Sequence, residues 1–196
     1  MRKIFFVLAM IAITHAKAQI QPVREKPVED TTQNAMPPSD FDISKDAENG
    51  AVVYKGIFTL KYLQKEPTFD WMQKGMDAYH PDTTAIAYLR DHIADYDMAL
   101  FMGTWCSDSQ DLIPKLFKVL MALNYSVTDN QVIGVDREKT TKEQYMPYVK
   151  RAKVTLVPTI VLLKNGEEIG RITETVNKSV EADLAEIMRK QQASGK

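Results

Sequence analysis

The chain has 196 residues, and its 25 lysines and arginines nearly balance its 26 acidic residues, which gives a formal net charge of −1. Because there is no excess of positive charge, the composition argues against nucleic acid or an anionic membrane surface as a partner. The single cysteine excludes an internal disulfide bond. With only three histidines beside it, the chain also offers too few ligands for a zinc-type site, and we expect neither a metal nor a cofactor.

The first 18 residues are predicted to be a secretory signal peptide. Arg2 and Lys3 precede an apolar run over residues 4–13, and residues 15–18 form a small-residue cleavage pattern that ends at Ala18. The run is well short of the roughly 20 apolar residues that span a bilayer, which argues against a membrane anchor. Cleavage removes three basic residues and no acid, which leaves 22 basic and 26 acidic residues and a formal charge of −4. We therefore expect an exported protein, periplasmic in a bacterium or secreted.

Two segments are predicted between the signal peptide and the main domain. Residues 19–50 carry four prolines among polar and charged residues and are predicted to form a flexible linker. Folded structure is expected from about Ala51. Residues 51–82 are predicted to form an N-terminal extension packed on the domain, with one or two strand segments over residues 53–62 and a short helix after Thr68. Phe69, Met72 and Met76 share one face of that helix.

The main domain is predicted over residues 83–192. A helix capped by Asp82 leads into an apolar strand at residues 99–102, and a second helix starts after Cys106 and ends near Asn124. Two further strands are predicted over residues 131–135 and 159–163. After a turn, residues 167–173 are predicted to form the returning strand of a hairpin, and Ser179 is predicted to cap a last helix. Residues 141–152 predict a helix that Pro147 interrupts or bends. This order predicts an α/β fold, a mixed central sheet flanked by helices, with an extra N-terminal strand and helix.

The only cysteine of the chain lies where the central strand gives way to a helix. Ser107, Asp108 and Ser109 follow Cys106 and are typical of a helix N-terminus. Free backbone N–H groups and the positive end of the helix dipole favour an anion there, so a thiol at this position ionises more readily than in free solution. The carboxylate of Asp108 opposes ionisation, whereas a hydrogen bond from Ser109 would favour it.

Two stretches of the chain together carry a family resemblance. The motif Trp105-Cys106-Ser107-Asp108-Ser109, followed by Pro114, resembles the thioredoxin active-site turn and its proline-bent helix. Residues 154–166 resemble the stretch in which a cis-proline faces the thiol and opens an edge hairpin. The resemblance covers roughly residues 83–190 and implies a thioredoxin-like fold. It also implies that the substrate contacts residues on both stretches, namely Trp105, Ser107, Asp108, Val157 and Pro158.

Departures from that family restrict the chemistry. Thioredoxins carry a second cysteine three residues after the first, where this chain has Ser109, and a buried acid six residues before the first, where it has Leu100. Because the acid of that family assists proton transfer when the second cysteine attacks, the two losses are chemically consistent. The resemblance thus implies thiol-disulfide exchange through Cys106 alone, with Ser109 beside it. Its partners would be exported proteins with thiols or disulfides, and an external thiol would be the reductant.

Other interpretations of the same residues stay open. Cys106 is either a reactive thiol or a small buried hydrophobic residue, Ser109 either holds the thiolate or is a first-turn helix residue, and Trp105 either covers the thiol or packs in the core. Gly103 stands where the peroxide-reducing branch of the superfamily has a threonine, and the paired glycines of monothiol glutaredoxins are missing. The turn Arg137-Glu138-Lys139 is interpreted as solvated. The competing function is a redox-inactive binding or scaffold module with a thioredoxin fold.

Overall fold

A six-stranded mixed sheet forms the centre of the computed structural model, which describes residues 39–125 and 131–195. The strand order is β1-β2-β4-β3-β5-β6. Strands β3 and β4 are parallel, and the other neighbouring pairs are antiparallel. The strands are β1 (Asp40–Lys45), β2 (Val52–Thr59), β3 (Asp97–Met102), β4 (Gln131–Gly134), β5 (Thr159–Lys164) and β6 (Glu167–Thr173).

Six helices cover the two faces of this sheet unequally. They are α1 (Leu60–Lys65), α2 (Asp70–Ala78), α3 (Thr83–His92), α4 (Ser107–Ala122), α5 (Met146–Arg151) and α6 (Val180–Ala193). Helices α1, α2, α3, α4 and α6 share the larger core with one face, which includes Leu100 and Ile160. On the other face α5 adds Val149 to a smaller core with Phe101 and Val161. Leu100 and Phe101 lie in different cores because side chains alternate along a strand.

The architecture confirms the predicted fold class. It is an α/β fold, a mixed central sheet flanked by helices and arranged as in a thioredoxin-like fold. Two strands and two short helices (β1, β2, α1 and α2) precede α3, where one extra strand and one extra helix were predicted. The parallel pair is joined through α4, as a crossover connection requires. None of the helices in the described ranges is both long and apolar enough to span a bilayer.

Two predicted helix caps are confirmed, whereas the helix predicted over residues 141–152 is shorter in the structure. Asp82 caps α3 by accepting a hydrogen bond from the Ala85 N–H at 2.8 Å, and Ser179 caps α6 through Ala182 at 3.3 Å. Pro147 lies in the first turn of α5 rather than inside a longer helix, and a 3-10 turn over Glu143–Tyr145 precedes it. Proline fits there because the N–H groups of the first helical residues have no acceptor within the helix, so proline removes no helical hydrogen bond.

The N-terminal elements differ from the prediction. Within the described residues, regular structure starts at Asp40 rather than near Ala51, because β1 pairs with β2 although most of its side chains are exposed. Phe41 anchors it, with its ring centroid 4.5 Å from that of Tyr54. The strand predicted up to residue 62 ends at Thr59, where α1 begins. The predicted signal peptide and residues 19–38 of the predicted linker lie outside the described residues.

Candidate active site

The junction between β3 and α4 presents the thiol. Cys106 is the N-cap residue of the 16-residue helix α4 and is partly exposed. Its N–H donates to Gly103 O at 3.0 Å, and its carbonyl accepts the first helical bond from the Gln110 N–H, also at 3.0 Å. Cys106 therefore occupies the strand-to-helix boundary, with the open N–H groups of the first helical turn following it.

The thiol faces the segment that leads into β5. Cys106 Sγ donates a hydrogen bond to the carbonyl oxygen of Val157 at 3.3 Å. The Val157-Pro158 peptide bond is cis, and both residues are buried. Leu156, one residue earlier, is 43% exposed. The structure thus brings together Cys106, Val157 and Pro158, which the sequence places about fifty residues apart.

Trp105 is held beside the thiol with its ring folded back over the end of β3. Its indole Nε1–H donates to the carbonyl oxygen of Val135 at 2.9 Å. A Cβ atom on Gly103 would lie 2.6 Å from that indole, closer than Cβ contacts allow. Trp105 is partly buried and packs against the smaller core. The packing interpretation of Trp105 is therefore supported, and its role as a cover of the thiol stays a prediction.

The three polar residues in the first turn of α4 differ in their exposure to solvent. Ser107 is exposed and Asp108 is partly exposed, whereas Ser109 is fully buried. The hydroxyl of Ser109 accepts a hydrogen bond from the Gly103 N–H at 3.3 Å. This bond ties the first turn of α4 to the end of β3, so Ser109 has a structural contact of its own; its role toward the sulfur stays a prediction.

The residue six positions before Cys106 is the apolar Leu100, and it lies in the larger core. Leu100 is buried and pairs with Val132 across the parallel ladder. Both side chains belong to the larger apolar core. Within the described ranges, no group of three or more His, Cys, Asp or Glu side chains could hold a metal ion.

A salt bridge that the sequence did not indicate borders the site. Arg137, interpreted as part of a solvated turn, binds the carboxylate of Asp46 through Nε and Nη2, each at 2.8 Å. Its Cζ lies 4.6 Å from the centroid of the Trp105 ring. The hydrogen bonds from Arg137 are the main cause that lowers the pKa of Asp46 to about 2, and backbone N–H groups of Asn49 and Glu48 contribute. No local signal could reveal this contact, because the two partners lie 91 residues apart.

The turn before β2 and β2 itself support the residues just before Cys106 directly. The side-chain amide of Asn49 donates to the carbonyl oxygen of Trp105 at 3.1 Å. Thr104 is buried, and its hydroxyl donates to Val52 O at 2.7 Å and accepts from the Tyr54 N–H at 3.1 Å. Strand β2 and the turn before it are therefore hydrogen-bonded to the residues that precede the thiol.

Comparisons with known proteins identify no family for the chain. No protein-family model matches it, and no curated protein matches it. It is similar to an HIV epitope-scaffold protein at 12% identity and a TM-score of 0.48, over 67% of this chain and 92% of that one. A Pseudomonas aeruginosa protein of unknown function is 12% identical with a TM-score of 0.43, over 69% of this chain and 82% of that one.

Mitochondrial thioredoxin 3 from Saccharomyces cerevisiae, in its oxidized form, is 24% identical with a TM-score of 0.33, over 54% of this chain and 89% of that one. These likenesses are too distant to indicate an activity. A functional conclusion therefore depends on the geometry of the site.

Proposed function

We propose that this protein is a single-thiol thiol-disulfide exchange protein that acts on exported proteins. The observation that carries the proposal is the position of Cys106, partly exposed at the start of α4 and facing the backbone of Val157. The N–H groups of Ser107, Asp108 and Ser109 occupy the first helical positions, where no intrahelical acceptor exists. Together with the positive end of the helix, they would stabilise the negative charge that the sulfur carries when it attacks or leaves.

In the exchange, the thiolate of Cys106 attacks one sulfur of a disulfide bond in the partner. A new disulfide forms between Cys106 and the partner, the original bond breaks, and the second partner sulfur leaves as a thiolate that takes up a proton. Ser109 cannot attack this mixed disulfide, so Cys106 is released only by a thiol from outside the chain. A second thiol of the same partner gives isomerisation, with no net change in electrons. Two external thiols give reduction of the partner and leave as a disulfide.

The segment before Pro158 is the proposed contact for the partner chain. Thr155 and Leu156 are exposed, and this stretch precedes β5 next to the thiol. An extended peptide can pair with exposed backbone of this kind, as peptides add to the edge of a sheet. Ser107 and Asp108 border the thiol from the helix side. A partner held between them would present its disulfide to Cys106 Sγ.

Capture of partners tests this proposal. Cells that express the full chain are quenched with acid and N-ethylmaleimide, and the protein is isolated under non-reducing conditions. We expect disulfide-linked complexes that dithiothreitol separates by reduction, and we expect no such complexes with Cys106→Ala. An Arg90→Gln variant, changed in the last turn of α3, serves as a control that keeps the thiol and its surroundings and should still form complexes.

Equal recovery of partners with Cys106→Ala would contradict the exchange chemistry. Non-covalent recovery of the same partners by Cys106→Ser and wild type alike, with no dithiothreitol-sensitive complex, would favour the binding module instead.

A further inference from the structure

Each of the three guanidinium nitrogens of Arg137 has a carboxylate partner next to the turn that precedes Cys106. Nε and Nη2 bind Asp46 at 2.8 Å each, and Nη1 lies 2.9 Å from the carboxylate of Glu48. Its plane borders the Trp105 ring, with Cζ 4.6 Å from the ring centroid. Because the carboxylates of Asp46 and Glu48 already bind all three guanidinium nitrogens, the guanidinium is poorly placed to bind a further anionic ligand through hydrogen bonds. The contacts of Arg137 instead hold its own positive charge and the indole ring of Trp105 in place.

The partner of Arg137 is itself held rigidly. The side chain of Asp46 is 6% exposed, and its Oδ1 also accepts the N–H groups of Glu48 and Asn49. Asn49 in turn donates to the carbonyl oxygen of Trp105 at 3.1 Å. The turn over residues 46–50, Arg137 and Trp105 therefore form one connected cluster, which we call the arginine clasp.

The clasp also places a cation within electrostatic range of the thiol. The hydrogen bonds from Arg137 to Asp46 are the main cause that raises the pKa of the guanidinium. The charges of Asp46, Glu48 and a Cys106 thiolate raise this pKa further. Lys139 adds a second cation, 5.7 Å from the centroid of the same ring. The first turn of α4, which follows Cys106, carries one acidic residue, Asp108.

We propose that Arg137 is a positioning residue for Cys106. It holds the indole of Trp105 against the end of β3 and fixes a positive charge beside the thiol, and Asp46 and Glu48 set how much of that charge the sulfur experiences. The purpose of this arrangement rests on the proposed exchange function, since a charge beside the sulfur stabilises it whenever it leaves as a thiolate.

The test compares two alkylating reagents on the folded full-length protein at one pH. Iodoacetate is an anion and iodoacetamide is neutral, so the ratio of their rates at Cys106 reports the local electrostatic potential. We expect Arg137→Gln to lower this ratio by about two- to fivefold, the effect of one unit charge at several ångströms in a partly aqueous setting. Glu48→Gln, which removes a nearby negative charge from an exposed side chain, should raise the ratio. Arg90→Gln, at the end of α3, should leave it unchanged.

Arg137→Lys separates charge from position. Lysine keeps the charge but lacks the planar fork, so the reagent ratio should stay near that of wild type while Trp105 becomes more accessible. Acrylamide quenching in a Trp71→Phe background, where Trp105 is the remaining tryptophan, measures that accessibility.

An unchanged ratio in Arg137→Gln, or a shift of Glu48→Gln in the same direction as Arg137→Gln, would overturn the electrostatic part of the proposal. Unchanged quenching in Arg137→Lys would overturn the positioning part. Because alkylation needs no partner protein, failure here is distinguishable from failure to capture partners.

Discussion

Substitution of Gly103 by alanine tests how the active-site turn is packed. The new Cβ would lie 2.6 Å from the Trp105 indole, so the ring must leave its place and lose the 2.9 Å hydrogen bond to Val135. Overpacking of this kind costs roughly 1–3 kcal/mol, and the lost hydrogen bond about 1 kcal/mol more. We therefore expect Gly103→Ala to lower the free energy of unfolding by ~2–4 kcal/mol. Urea unfolding followed by circular dichroism measures this without relying on tryptophan emission.

A double-mutant cycle shows whether the indole is the cause. In a Trp105→Ala background the ring is absent, so the added methyl group should cost almost nothing, and its restriction of the unfolded chain favours folding by about 0.4–1 kcal/mol. The coupling between positions 103 and 105 should therefore be nearly as large as the cost in the wild-type background. An equal cost in both backgrounds would refute this steric explanation.

Two further predictions concern the elements around the site. The pKa of Asp46 is lowered to about 2 by Arg137, so the stability it contributes should be fully present above its unfolded pKa of about 4 and lost as the pH falls toward 2. The urea midpoint of Asp46→Asn should then be less sensitive to pH over that window than that of wild type, and parallel curves would contradict the linkage. A Cβ on Gly75 would lie 2.7 Å from Pro114 Cβ, because α2 packs closely on α4. Gly75→Ala should therefore cost roughly 1–3 kcal/mol in thermal unfolding, and a wild-type melting temperature would contradict that contact.

The elements that carry local signals could be predicted from the sequence. The caps at Asp82 and Ser179, the helix after Cys106 and the final hairpin each depend on a few neighbouring residues. The same locality explains why the strand-to-helix position of Cys106 could be predicted. These signals identified the fold class without knowledge of long-range contacts.

The parts that could not be predicted depend on partners far along the chain. Strand β1 is mostly exposed, so it lacks the alternation of a half-buried strand, and it is held by pairing with β2 and by Phe41. The contact between Arg137 and Asp46 joins a turn after β4 to a turn before β2. In the sequence both residues are typical of solvated turns, and only the strand order brings them together.

The reaction of Cys106 with a small disulfide tests the exchange chemistry most directly. The rate with 4,4′-dithiodipyridine is measured at neutral pH on the folded full-length protein and on the same chain unfolded in urea. If the start of α4 and Arg137 favour an accessible thiolate, the folded protein reacts faster than the unfolded chain. A thiol that is protected until the protein unfolds would contradict the proposal and leave Cys106 as a packing residue.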